Sequence, residues 1–154
     1  MSIGIHSDEH FMKLALAEAQ QAFEKDEVPV GAVVVCNNQV IARAHNLTEM
    51  LTDVTAHAEM QAITSAAEFL GGKYLQDCTM YITLEPCVMC AGALKWSQIG
   101  KIVYGASDQK QGCSQIQKQL VKPGLFHPKT TILGGIMQEE CATLLTSFFA
   151  NKRR

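Results

Sequence analysis

Apolar residues recur at helical spacing near the start of the chain, at Met12, Leu16, Ala19 and Phe23. Ser7 or Asp8 can cap this helix, which ends near Lys25-Asp26. The period then changes. Two short runs, Val30 to Cys36 and Gln39 to His45, flank Asn37-Asn38, a pair that tolerates the positive φ of a two-residue hairpin turn. Ala56, Met60, Ile63, Ala67 and Leu70 form a second stripe, predicting a helix from about Thr55 to Leu70 with Gly71-Gly72 as its stop. His57 and Glu59 fall in its opening turn.

Cys78 to Thr83 reads as a strand, and Pro86 stands where a following helix would begin, a position that tolerates proline. That helix, about Cys87 to Ser97, is apolar on most sides, which predicts burial. Lys101 to Gly105 is a further strand. Residues 106–129 are largely irregular, with a short helix near Ser114 to Leu120, before a last strand at Thr130 to Leu133 and a closing helix from Gln138 to Asn151. Strands separated by helices predict right-handed crossovers and a sheet covered on both faces, and the early hairpin makes that sheet mixed. The expected fold is α/β in three layers, α/β/α.

The chain has 154 residues and no repeat, low-complexity tract or Pro/Gly-rich linker, so a single domain over 1–154 is expected. With 47% hydrophobic and 18% charged residues it is too apolar to be disordered. The first ten residues lack the basic and apolar regions of a signal peptide, and no later apolar run has membrane-spanning length. The expectation is a soluble protein of the cytoplasm. There, Cys36, Cys78, Cys113 and Cys141 would remain free thiols.

A net charge of −2 argues against a strongly basic nucleic-acid binder, but the charges are unevenly distributed. Residues 1–94 hold four Lys/Arg against twelve Asp/Glu, and residues 95–154 hold nine against three. The C-terminal part, ending in Lys152-Arg153-Arg154, can meet phosphate or can simply be a solvated tail.

Three side chains of zinc-ligand type stand at the starts of two successive helices: His57, and the pair Cys87 and Cys90. At i and i+3 the two cysteines share one helical face. The partial positive charge of a helix N-terminus lowers thiolate pKa and readies both as ligands. One imidazole and two thiolates leave a fourth tetrahedral position open, as a catalytic zinc requires. A metal beyond the helix end can be reached by His57 while Glu59 approaches a water there from the side, equipping the site for hydrolysis. The alternative is a closed structural zinc with Cys36, Cys78 or Cys113 as fourth ligand and Glu59 as a solvated charge.

His57-Ala58-Glu59 followed by Pro86-Cys87-Val88-Met89-Cys90 resembles the signature of the cytidine-deaminase superfamily. Glu27-Val28-Pro29-Val30-Gly31-Ala32, His45-Asn46, Thr55 to Met60, Thr83 to Cys87 and Met89 to Ala93 extend the likeness to the bacterial tRNA-specific adenosine deaminases, over nearly the whole chain. The resemblance implies a cytidine-deaminase-like fold, one Zn2+ per subunit on His57, Cys87 and Cys90, and Glu59 as proton shuttle. Its implied reaction is hydrolysis of a flipped wobble-position adenosine (A34) to inosine in a tRNA anticodon, with release of ammonia. Asn46 would hold the purine edge, and the Ala58 and Cys87 backbone N–H groups would lie near the base and the developing oxyanion.

By the same resemblance Asp108 and Lys110 would meet the anticodon-loop backbone, and Phe149 and Arg153 the flanking nucleotides, in a homodimer whose two subunits shape the tRNA site. Asn46 could otherwise be an ordinary turn residue after its strand. Phe148 and Phe149, about 100° apart on a helix, cannot both face the core, which leaves one for contact. Phe126-His127-Pro128-Lys129 departs from the Asn-His-Arg segment of many relatives. The competing activity is deamination of a free base or small nucleoside, such as guanine or cytosine, by the same zinc machinery.

Overall fold

The computed structural model describes residues 6–115 and 124–152. In chain order the elements are α1 (Asp8–Glu24), β1 (Gly31–Cys36), β2 (Gln39–His45), α2 (Ala58–Leu70), β3 (Cys78–Leu84), α3 (Val88–Ser97), β4 (Lys101–Ala106), β5 (Thr131–Leu133) and α4 (Gln138–Lys152). The strands form one sheet in the order β2-β1-β3-β4-β5. β1 is antiparallel to both β2 and β3, whereas β3/β4 and β4/β5 are parallel, so the sheet is mixed as expected. Among the described residues, no helix is long and apolar enough to cross a membrane.

Local chemistry explains the element ends. Ser7 caps α1 by accepting a hydrogen bond from the His10 N–H at 3.1 Å. Asp8 is used differently, accepting from the Tyr81 hydroxyl at 2.7 Å. Asn37 and Asn38 take φ of 51° and 63°, the left-handed pair of a tight hairpin turn. Gly71 closes α2 at φ 70°, and the Gly72 N–H returns to the Ala67 carbonyl in a Schellman ending.

Two apolar cores lie on opposite faces of the sheet. One joins Ala58, Ala62 and Ala66 of α2 and Leu94 of α3 to Ala32, Val34, Met80, Ile82 and Ile102. The other joins Phe11, Met12 and Ala15 of α1 and Cys141 of α4 to Val33, Tyr81 and Val103. These are the three layers.

The buried stripes differ from those the sequence predicts. On α1 the fully covered residues are Phe11, Met12, Ala15, Glu18, Ala19 and Ala22, while Leu16 and Phe23 are only partly buried. On α2 they are Ala58, Glu59, Ala62 and Ala66, while Met60, Ile63 and Ala67 are partly covered and Leu70 is exposed. Close approach is the physical reason. A Cβ added at Gly31 would lie 2.1 Å from the Ala15 carbonyl oxygen and 2.4 Å from the Ala19 nitrogen, so α1 sits where only small residues fit. Gly31→Ala should therefore cost about 1–3 kcal/mol in a denaturant-unfolding measurement, the scale of overpacking.

α3 also corrects its expectation. Cys90, Ala91, Leu94 and Ser97 are buried, but Val88 and Trp96 are exposed, so the helix is covered on one stripe rather than all round. Pro86 lies before the helix and Cys87 is its N-cap. A helical turn opens at residues 113–115, and the remainder of the short helix expected to reach Leu120 lies outside the described residues.

Candidate active site

α2 begins later than its apolar pattern suggests, and this places the site. Asp53 accepts from both the Thr55 N–H (2.8 Å) and the Thr55 hydroxyl (2.7 Å), holding residues 53–56 in a turn outside the helix. His57 becomes the N-cap, with extended φ −68° and ψ 156°, so its ring leaves the helix end while Glu59 sits on the first turn. Cys87 is the N-cap of α3, at φ −74° and ψ 175°. The His57 side chain makes no capping hydrogen bond to its own helix. Two helix N-termini with that partial positive charge thus meet at one place.

His57, Cys87 and Cys90 come together there. Their ligand atoms lie within 4.8 Å of one another, the only such His/Cys/Asp/Glu group found among the described residues. The His57 Nδ1 is 3.5 Å from the Cys90 Sγ and 3.8 Å from the Cys87 Sγ. Tetrahedral zinc with ordinary Zn–N and Zn–S bonds sets imidazole nitrogen and thiolate sulfur ~3.6 Å apart, and two thiolates with one imidazole suit zinc chemically. The residues fit the ion.

The two thiols are not equally readied, in contrast to the expectation from the helix starts. Hydrogen bonding from Cys90 holds the Cys87 thiol down to about 4, against the opposing effect of burial. The Cys90 thiol is pushed up, chiefly because it serves as the proton donor to Cys87. Hydrogen bonding to Cys87 raises the His57 imidazole.

Glu59 is 4% exposed, and burial pushes its carboxyl up to about 7, opposed by the charge of His57. A cation in the cluster would act in the opposing direction. The four cysteines outside the cluster remain free thiols: Cys36 faces Cys78 across β1 and β3, Cys113 lies 3.7 Å from a Glu85 oxygen, and Cys141 packs from α4 against the sheet.

His57 and Cys87 of the cluster line a cavity of about 470 Å3. Glu59, Ala58 and Asn46 line it, together with Asp108. Asn46 is 6% exposed; its Nδ2 donates to the Val28 carbonyl (3.3 Å) and its Oδ1 accepts from the Thr48 N–H (3.3 Å), leaving amide capacity toward the cavity. Lys110 is exposed and does not line it. Phe149 lies in a separate groove with Lys25, Met50 and Lys152, 44% exposed, whereas Phe148 is buried. As expected of adjacent helical positions, only one of the two phenylalanines is buried. Arg153 lies outside the described residues. In the departing segment, Phe126 packs against the core and His127 Nδ1 accepts from the Lys129 N–H at 3.2 Å.

Several site residues escaped sequence reasoning. Glu27, 1% exposed, accepts from the Glu49 and Met50 N–H groups at 2.9 and 2.8 Å and so shapes the segment after Asn46. His45 bridges Glu18 Oε1 and Lys25 Nζ, each at 3.1 Å, directly behind Asn46. Thr48, Glu85, Gln111 and Met89 also line the cavity.

This fold, with paired helix starts converging on a His/Cys/Cys cluster and a buried glutamate, defines a deaminase, and residues 6–139 match the family described as MafB19-like deaminase. The tRNA-specific adenosine deaminase of Bacillus subtilis is 46% identical over 147 residues, covering 96% of this chain and 91% of its own length. That of Aquifex aeolicus is 46% identical, covering 94% and 95%. The chain belongs to the tRNA-specific adenosine deaminase family. A solved structure from a study of A-to-I editing by tRNA:A34 deaminases superimposes with a TM-score of 0.82 at 44% identity, covering 88% of this chain and 99% of that one. A guanine deaminase from Bacillus subtilis superimposes less well, with a TM-score of 0.67 at 29% identity and coverage of 97% and 96%.

Proposed function

We propose that this protein is a zinc-dependent tRNA deaminase that hydrolyses the wobble-position adenosine (A34) of an anticodon to inosine and ammonia. The observation that carries the reading is the buried Glu59 carboxyl beside the three-ligand cluster, in a cavity of about 470 Å3. His57, Cys87 and Cys90 hold the metal, and bound zinc supplies Lewis acidity that activates water as a nucleophile at neutral pH.

Glu59 takes a proton from the attacking water, delivers it to N1 of the base and then assists the departing ammonia. Buried beside the cluster and lining the same cavity, Glu59 is placed to pass the proton in both directions. The Asn46 amide orients the purine edge, and the Ala58 and Cys87 backbone N–H groups, at the two helix starts, stabilise negative charge developing on the oxygen. Asp108 and Lys110 belong to the segment facing the anticodon-loop backbone, while Phe149 and Arg153 serve the flanking nucleotides. The enzyme acts as a homodimer in the cytoplasm. Exposed Phe69, Leu70, Val88 and Trp96 on the α2/α3 layer support pairing of subunits there.

Phe149 separates this reading from deamination of free guanine or cytosine. Phe149→Ala should weaken recognition of an anticodon stem-loop by about 1–3 kcal/mol, the scale of a base stacked on an aromatic platform. A small base confined to the inner cavity would be turned over at the wild-type rate. Because Phe149 contacts Phe148 edge-on at 5.4 Å, an unfolding curve must accompany the kinetics. Equal stem-loop kinetics for a stably folded variant would remove Phe149 from the RNA site.

A further inference from the structure

We infer that Glu85 is a positioning residue for the reaction: its buried carboxylate fixes the segment carrying Asp108 and Gln111 as one wall of the substrate cavity. Glu85 follows β3 directly and precedes the turn Pro86-Cys87 that begins the metal cluster. It is 2% exposed, and no ion pair involves it among the described residues. An anion in such surroundings is tolerable only where hydrogen bonds replace its hydration. Here they come from one segment. Oε1 accepts from the Asp108 N–H at 3.1 Å, and Oε2 accepts from the Ser114 N–H at 2.8 Å with the Cys113 thiol at 3.7 Å.

The two carboxylate oxygens therefore grip both ends of the stretch 108–114. Its middle is pressed onto the turn beside the cluster: Cys113 N–H donates to the Pro86 carbonyl at 2.8 Å, and Gly112 forms a bridge with Cys87. Glycine is required at 112 because an added Cβ would lie 2.4 Å from Glu85 Oε1 and 2.5 Å from the Asp108 carbonyl oxygen. Asp108 then uses its own Oδ1 to accept from the Lys110 and Gln111 N–H groups, both at 3.0 Å, completing the curve that brings Asp108 and Gln111 to the cavity. A glutamine at 85 keeps the volume but offers one acceptor oxygen for two N–H donors. It should release one end of the segment and leave both apolar cores untouched.

The test uses full-length, zinc-loaded Glu85→Gln and, from the opposite side of the contact, Gly112→Ala. Its kinetic arm rests on the tRNA-deaminase reading, and its exchange arm does not. Amide hydrogen exchange of residues 107–115 should accelerate about tenfold or more in both variants, with β3 and β4 protected as in the wild type. KM for an anticodon stem-loop should rise about tenfold, with kcat within about threefold of wild type and zinc content unchanged. Unchanged exchange at 107–115 in both variants overturns the proposal. So does loss of protection spread evenly over the sheet, or a kcat that falls while KM stays constant. Wild-type protein inert toward the stem-loop would overturn the RNA reading alone; faster exchange confined to 107–115 would still support the clamp.

Discussion

Glu59→Ala is expected to bind zinc as the wild type does, keep its folded core and lose at least ~10²-fold in turnover, the scale of a general acid/base contribution. The separation follows from placement. Glu59 is not among the three residues that can hold the ion, yet it is buried in the same cavity, where burial brings its carboxyl to about 7. Alanine removes the proton carrier and also opens space, so Glu59→Gln, which preserves volume, should lose activity on the same scale. Zinc content by atomic emission and a thermal unfolding curve distinguish the outcomes. A variant that loses zinc together with activity would make Glu59 a structural residue.

His57→Ala and Cys87→Ala should each abolish both zinc binding and deamination. Two remaining ligands cannot hold zinc as three do, and binding to the folded state is itself a source of stability, so the melting temperature should also fall. Cys36→Ala is the control. Cys36 lies at the hairpin end of β1, opposite Cys78 and outside the cavity lining, and its loss should leave zinc content and turnover unchanged. Full turnover by rigorously metal-free wild-type protein would contradict the assignment.

Much of this organisation is legible in the sequence because it is local. The Ser7 cap, the Asn37-Asn38 turn and the Gly71 stop each depend on one or two residues whose backbone preferences act alone. The His57/Cys87/Cys90 cluster is legible for a related reason: each ligand is tied to a helix start, and the fold needs only to bring two starts together. The buried stripes of α1 and α2 were misplaced because alanines and Gly31 set how closely helix meets sheet, and that distance is a property of the pair. Hydrophobic size favoured Leu16, Phe23 and Leu70, which packing leaves partly or fully exposed.

Glu27, Glu85 and the Glu18–His45–Lys25 chain were hidden for another reason. Each is a charged residue that reads as solvated until a distant N–H or ring is placed against it, 22 to 29 positions away for the two clamping glutamates. Glu85 belongs to the Thr83 to Cys87 stretch that resembles the deaminases, yet nothing local in that stretch identifies its partners at Asp108 and Ser114.

Zinc-loaded wild-type protein incubated with an anticodon stem-loop bearing adenosine at the wobble position tests the central claim most directly, with inosine mapped by sequencing and ammonia measured in the same reaction. The account predicts inosine at that position alone, with one ammonia released per inosine formed. An untouched stem-loop, with ammonia released instead from free guanine or cytosine, would contradict it.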